Sequence, residues 1–286
     1  MSARTILAAL LFAGALLAET PQRIVSAAPS ITEMLYALGL GDRVVGVTTF
    51  CHYPPEVRDK PKIGTYLRPN LETVLAMRPD LVAALAEHGA VVEQFQRLGL
   101  PTLTLQHNDL AGIYRSLEQL GERTGARDAA AREIEQIQEG LAAVRARAAG
   151  RPERSVLFLV GRTPSEMQDL IAVGRGSFLN ELIAIAGGRN LLDEAPSFYP
   201  HISVETLYVE RPQVVIDMGD MADTDRIDEA HRRSVVALWR KEFPDLPAVG
   251  EGRVYAVAND IFVVPGPRVV EAAEALLEMI HPEAGP

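Results

Sequence analysis

The stretch that most restricts how this chain can fold is Ala126 to Ala149, ARDAAAREIEQIQEGLAAVRARAA. It holds one glycine and no proline, and it is rich in the strong helix formers Ala, Glu, Gln, Arg and Leu. Ile134, Ile137, Leu141, Val144 and Ala148 recur at alternating spacings of three and four. That spacing draws one narrow apolar stripe along a helix whose other faces carry Arg and Glu. Gly150 and then Pro152 stop it. Such a helix is about 36 Å long, the width of a small domain. With so thin a stripe it is expected to lie as a strut along the outside of two bodies, not inside one core.

The flanking sequence supports two bodies. Asn70 to Val82, NLETVLAMRPDLV, precedes the strut, and Ser203 to Val215, SVETLYVERPQVV, follows it. Glu72, Thr73, Arg78, Pro79 and Val82 align without a gap on Glu205, Thr206, Arg211, Pro212 and Val215, five identities in thirteen at a constant offset of 133. The same offset pairs Tyr66 with Tyr199 and Glu87 with Asp220. Each copy reads as an N-cap (Asn70 or Ser203), two helical turns, a proline stop and a strand.

A chain of 286 residues, 48% hydrophobic and 23% charged, can form two domains with real cores. Its net charge of −10 argues against nucleic acid or an anionic membrane surface as the main partner. Residues 1–18 read as a signal peptide: Arg4 is the positive start, Ile6 to Leu17 a short apolar run, and Ala18 a small residue for cleavage. No cysteine stands at that junction, so the expected product is a periplasmic or otherwise exported protein, soluble after signal-peptide removal and without a lipid anchor. The single cysteine, Cys51, leaves no internal disulfide and is read as a small buried hydrophobe.

The expected fold class is α/β: two similar lobes with mainly parallel central sheets, bridged by a single long α-helix. The lobes span 22–124 and 154–284, with the bridging helix over 125–150. In the first, strands are expected at Arg23–Ser26, Val44–Val47, Leu81–Leu85 and Thr102–Leu105. Helices are expected at Leu71–Met77, Ala90–Leu98 and Leu110–Gly121, and one runs from Ser30 to Leu40 with Ser30 and Glu33 as a capping box. In the second, strands are expected at Ser155–Val160, Asp169–Val173, Val214–Asp217 and Arg253–Val257, with helices at Phe178–Ala186 and Pro267–Met279. Short, continuous apolar strands alternating with helices suggest a parallel sheet covered on both faces.

Motifs for catalysis are weak. Gly174-x-Gly176 before a helix lacks the third glycine and the acidic residue of a dinucleotide turn, so it reads as an ordinary strand-to-helix turn. There is no nucleophile elbow or Walker loop, and His52, His88, His201 and Asp260 match no local metal-ligand spacing. No catalytic residue, catalytic cofactor or bare metal site is expected, and the protein is read as a non-enzyme. An exported α/β enzyme or a protein-interaction adaptor is the rival reading. The stronger pattern is aromatic and polar residues in loops after predicted strands: Tyr53, Tyr66, Glu87 and His88 in one lobe, Arg162, Tyr199, His201, Asp260 and Phe262 in the other. Ligands of open parallel sheets bind beyond the carboxyl ends of the strands, so two such rims facing each other would form an aromatic cleft for one small ligand. Glu72 and Glu205 either offset their helix dipoles or form a matched pair for basic pockets on a partner.

These residues resemble a known family. Ser26-Ala-Ala-Pro-Ser-Ile-Thr-Glu33, Gly46-Val-Thr-Thr-Phe-Cys-His-Tyr-Pro-Pro55, Asn70-Leu-Glu72 with Arg78-Pro-Asp-Leu-Val82, and Gly176-Ser-Phe-Leu-Asn-Glu-Leu182 through Gly187-Gly-Arg-Asn190 are similar to the periplasmic substrate-binding proteins of ABC importers that have one long backbone helix (class III). That group handles vitamin B12, haem and ferric siderophores. The Cys51-x-Tyr53-Pro-Pro55 loop and Pro200-His-Ile-Ser-Val-Glu205 look most like the cobalamin-binding branch. The resemblance implies a rigid monomer that captures a corrinoid between its lobes and delivers it to the permease subunits of an ABC importer. It implies that Tyr53, Tyr66, Tyr199 and Phe262 pack on the corrin, and that Glu72 and Glu205 dock the permease. The branch often has tryptophan near Tyr66 and Phe262, whereas the only tryptophan here is Trp239. Haem is the alternative ligand, with Tyr199 or His201 as axial ligand and Arg162 for its propionates; a ferric siderophore is a further one.

Overall fold

The computed structural model describes residues 20–219 and 229–284. The leader reading over 1–18 and the pairing partner Asp220 lie outside them.

The first lobe runs β1 (Ile24–Ser26), α1 (Pro29–Ala37), β2 (Val44–Val47), α2 (Leu71–Ala76), β3 (Leu81–Leu85), α3 (Gly89–Arg97), β4 (Thr102–Leu105) and α4 (Leu110–Thr124). Its four strands are all parallel, in the order β2-β1-β3-β4. Next comes α5 (Arg127–Ala148), then β5 (Arg154–Gly161), β6 (Leu170–Ala172), α6 (Phe178–Ile185), β7 (Gly188–Asn190), β8 (His201–Ile202), α7 (Val204–Glu210), β9 (Val214–Asp217), α8 (Glu229–Glu242), α9 (Pro247–Gly250), β10 (Val254–Ala256) and α10 (Val269–Ile280). The second sheet is ordered β10-β9-β5-β6-β8, with β7 also on β5. It is parallel at its centre and antiparallel where β6 joins β5 and β8.

The repeated segment forms the same unit in each lobe. α2 and β3 correspond to α7 and β9, and Val74 and Leu207, at matching positions, are both fully buried. Each helix ends on an arginine in the left-handed region, Arg78 at φ 46° and Arg211 at φ 47°, followed by proline. A side chain rarely adopts that conformation, so its recurrence at the same offset marks one shared turn geometry.

The long helix α5 is more embedded than a strut on the outside. Ala130, Ile137, Leu141, Val144 and Ala148 are buried against α4, α6 and α10. One continuous apolar core runs from Ile24 through this helix to Ile280. The helices approach closely: a Cβ on Gly140 would stand 2.7 Å from Val270 Cγ1.

α5 is the chain connection that the sequence suggested, and non-covalent contacts between the lobes reinforce it. Phe178 N–H donates to the Asn108 carbonyl at 2.7 Å, and Leu110 N–H to Glu181 Oε2 at 3.1 Å. Arg268, just before α10, is ion-paired with Glu33 on α1. The expected capping box is absent for the same reason. Pro29 starts α1 one residue early, with Ala28 as N-cap. Ser30 Oγ instead bonds His107 Nε2 at 2.7 Å, and the Glu33 carboxylate goes to Arg268.

Gly140→Leu is therefore expected to lower stability by about 1–3 kcal/mol, through overpacking against Val270 and despite the better helix propensity of leucine. Urea unfolding followed by circular dichroism measures it, and an unchanged midpoint would contradict the close-packed bridge.

Candidate functional site: a cleft between two rims

The first rim is built by the loops that leave β2 and β3. The loop after β2 is pinned at its base: Ile63 N–H donates to Val47 O at 2.9 Å and Thr49 N–H to Gly64 O at 2.9 Å. Gly64 has φ +92°, and a Cβ there would stand 2.8 Å from Arg68 O, so the turn that delivers Tyr66 needs glycine. Beneath the loop Cys51 is buried, its sulfur 3.2 Å from Thr32 Oγ1 and 3.1 Å from Thr48 Oγ1. The rings this base supports stand in contact. Phe50 and Tyr66 have centroids 5.4 Å apart, and Tyr66 stacks on His88 at 5.2 Å with planes 28° apart. Phe50 and Tyr53 are exposed, and Glu87 and His88 lie in the single turn directly after β3.

The second rim carries Phe198 and Tyr199, both exposed, and His201 on β8. Gly174 N–H donates to Phe198 O at 2.8 Å and Ala172 N–H to Pro200 O at 3.0 Å, fixing this segment along the end of β6. The glycines of Gly174-x-Gly176 serve that contact: a Cβ on Gly174 would meet Ser197 O at 2.1 Å. Burial of its hydroxyl, with the Glu87 carboxylate as second cause, pushes the Tyr199 phenol up to about 12. Glu87 belongs to the first rim, so the two rims lie within electrostatic reach of each other.

Three residues expected in the cleft are engaged elsewhere. Arg162 is 7% exposed and its Nε lies 3.0 Å from Asp217 Oδ2. Asp217 also accepts from Trp239 Nε1 at 2.7 Å and from Gly219 N–H at 2.7 Å. Arg162 therefore anchors α8 and the end of β9, and is no cation for a ligand. Phe262 is 3% exposed and packs edge-on to Phe158, with centroids 5.5 Å apart, so its ring belongs to the core. Asp260 accepts from Arg268 Nη1 at 2.9 Å. The interlobe group Glu33–Arg268–Asp260 did not emerge from sequence, because Glu33 fits a capping pattern equally well.

Glu72 and Glu205 are exposed in the first turns of α2 and α7. Asn70 Oδ1 accepts from Thr73 N–H at 3.0 Å, as expected of a cap. Ser203 makes no such bond; its hydroxyl serves Glu205 and holds that carboxyl below the usual carboxylate range. Among the described residues no group of three or more His, Cys, Asp or Glu is placed to hold a metal ion, and no helix is long and apolar enough to cross a membrane.

Comparison with known proteins gives one family. Residues 24–260 match the family described as periplasmic binding protein. The chain is 30% identical over 273 residues to the uncharacterized ABC transporter substrate-binding lipoprotein YvrC of Bacillus subtilis, covering 93% of this chain and 82% of that one. It is 26% identical over 272 residues to the vitamin B12-binding protein of Vibrio campbellii, covering 94% and 93%. The crystal structure of a periplasmic heme binding protein from Pseudomonas aeruginosa superposes with a TM-score of 0.74 at 28% identity, covering 93% of this chain and 95% of that one.

Burial pushes the Glu33 carboxyl up to about 7, helped by Asp260 and Glu271 and opposed by Arg268. A folded value above the unfolded one means this group favours the fold most below the ordinary carboxylate pKa, and that contribution is lost as pH rises through about 7. Urea midpoints of the wild type and Glu33→Gln at about pH 5 and pH 8 test it. The wild type should lose stability relative to the variant across that interval, and parallel pH profiles would refute the assignment.

Proposed function

The chain belongs to the periplasmic binding protein family, and from that membership we propose that it captures a corrinoid, with cobalamin the first choice, between its two aromatic rims. Membership makes it a substrate-binding component of the ABC importer type, a transport protein and not an enzyme. The observation that carries the ligand reading is the chemistry of the rims. Phe50, Tyr66 and His88 form one aromatic wall, and Phe198 and Tyr199 project from the other lobe. Flat faces of this kind suit a broad macrocycle, and the phenol, imidazole and carboxylate groups of Tyr53, Tyr199, His88, His201 and Glu87 suit an amide-bearing rim.

Two features favour a neutral, amide-rich chelate over haem. The guanidinium that propionates would use, Arg162, is held by Asp217. The Tyr199 phenol, raised to about 12 in the ligand-free cleft, is protonated there and offers a hydrogen bond to an amide carbonyl. Vitamin B12-binding relatives at 26% identity add to this reading. Haem is the second reading, supported by the heme-binding neighbour at 28% identity and by imidazoles at both rims, His88 and His201. Glu72 and Glu205, exposed at matching positions of the two lobes, are the carboxylates through which the loaded protein would dock on basic pockets of its permease. The family description and the reading of 1–18 as a signal peptide support a periplasmic or otherwise exported site of action.

Isothermal titration of the mature protein with cyanocobalamin, and separately with haemin, tests the ligand. One-to-one binding of cyanocobalamin is expected, weakened roughly tenfold by Tyr66→Leu or Tyr199→Leu. Binding of haemin alone would replace the corrinoid reading. For docking, Glu72→Ala with Glu205→Ala should leave cyanocobalamin affinity unchanged and depress uptake through the permease; full uptake by the double variant would sink that role.

A further inference from the structure

We propose that Arg268 is a positioning residue for the cleft: its guanidinium, shared between Glu33 of the first lobe and Asp260 of the second, holds the Tyr53 ring at the rim and ties the setting of that ring to the placement of the lobes. Four contacts converge on this one group. Nε donates to Glu33 Oε2 at 3.0 Å, Nη2 donates to Glu33 Oε1, and Nη1 donates to Asp260 Oδ1 at 2.9 Å. The edge of the guanidinium is thus taken by carboxylates from both lobes. Its flat face remains, and the Tyr53 ring lies there with its centroid 4.1 Å from Cζ.

Each partner makes the arrangement hard to replace. The Glu33 side chain is 3% exposed and that of Arg268 is 10% exposed, so the fork is shielded from water and from salt. Gly266 lets the chain pass closely: a Cβ there would stand 3.3 Å from Glu33 Oε2. The Tyr53 ring is 42% exposed and borders a cavity of about 640 Å3, so side-chain packing alone does not fix it. A guanidinium can fill both roles because its donors lie in one plane and its π-face is weakly hydrated; an ammonium offers neither the two-point fork nor the stack. Any change in the separation of α1 and α10 therefore moves or releases the face on which Tyr53 rests.

The consequence for ligand capture rests on the cleft being the ligand site, and the test separates the two. Removing the cation altogether would strand two carboxylates, so the informative variant is Arg268→Lys, which keeps the charge. In the ligand-free protein, hydrogen exchange across residues 50–60 should quicken in R268K while exchange in α5 stays as in the wild type; unchanged exchange in 50–60 would overturn the proposal. In titrations with cyanocobalamin, R268K should bind roughly five- to tenfold more weakly, and R268K combined with Tyr53→Leu should bind no more weakly than Tyr53→Leu alone. Wild-type affinity in R268K, or losses that multiply in the double variant, would also overturn it. Should neither cyanocobalamin nor haemin bind the wild-type protein, the corrinoid and haem readings fail, and the exchange measurement alone decides the role of Arg268.

Discussion

The packing of one face of α5 governs the rest of the molecule. Ala130, Ile137, Leu141, Val144 and Ala148 are the only buried side chains on that 22-residue helix, yet they join the apolar layers of both lobes into one core. Small residues make the join close. A Cβ on Gly121 of α4 would stand 2.7 Å from the Ala130 Cβ, and Gly140 lies as tightly against Val270 of α10. Close-packed interfaces resist continuous deformation. A rotation of one lobe about this helix would open gaps along a seam that also includes the Phe178–Asn108 and Leu110–Glu181 bonds. Such a seam is expected to permit less hinge motion than lobes joined by flexible strands.

With the lobes set by the core, polar groups divide by depth. Most of the buried ones are engaged: Asp217 with Arg162 and Trp239, Arg268 with Glu33 and Asp260, and His107 between Ser30 and Ser116 are three such groups, whereas among the described residues the Tyr36 hydroxyl is buried without a hydrogen-bond partner. Burial holds His107 down at about 4, so it is neutral and serves as a hydrogen-bonding hub. Such groups cost too much to desolvate unpaired, which is why these three have their partners in place. The groups left to meet a ligand are those on the rim loops, where the segments carrying Tyr66 and Tyr199 are held by backbone bonds at the loop bases.

What was legible in the sequence follows from the range of the interactions involved. The bridging helix, the repeat at an offset of 133 and the four strands of the first sheet depend on local periodicity and on capping residues such as Asn70. Those signals lie within a few positions of one another. The errors fell where a partner comes from far along the chain. Arg162 looked free because Asp217 is 55 positions away, and Glu33 looked like a cap because Arg268 is 235 positions away. Phe262 was placed on the rim because it follows a strand, but the single turn Asp260–Phe262 points its ring back at Phe158. The short strands β7 and β8 carry no alternation of their own; Gly188–Asn190 becomes a strand because β5 is there to pair with it.

The same depth rule explains why the two halves of a duplicated unit serve one cleft differently. Tyr66 and Tyr199 stand at matching positions, yet Tyr66 is flanked by Phe50 and His88 whereas Tyr199 lies within electrostatic reach of Glu87. The first lobe therefore offers faces and the second a phenol that can donate a hydrogen bond. The proposed ligand meets both by being flat on one side and bearing acceptors on the other. It must also tolerate the Glu87 carboxylate, which penalises anionic substituents near it. Repulsion from Glu87, together with an Arg162 already paired with Asp217, is the electrostatic ground for proposing a neutral or amide-bearing chelate over an anionic one.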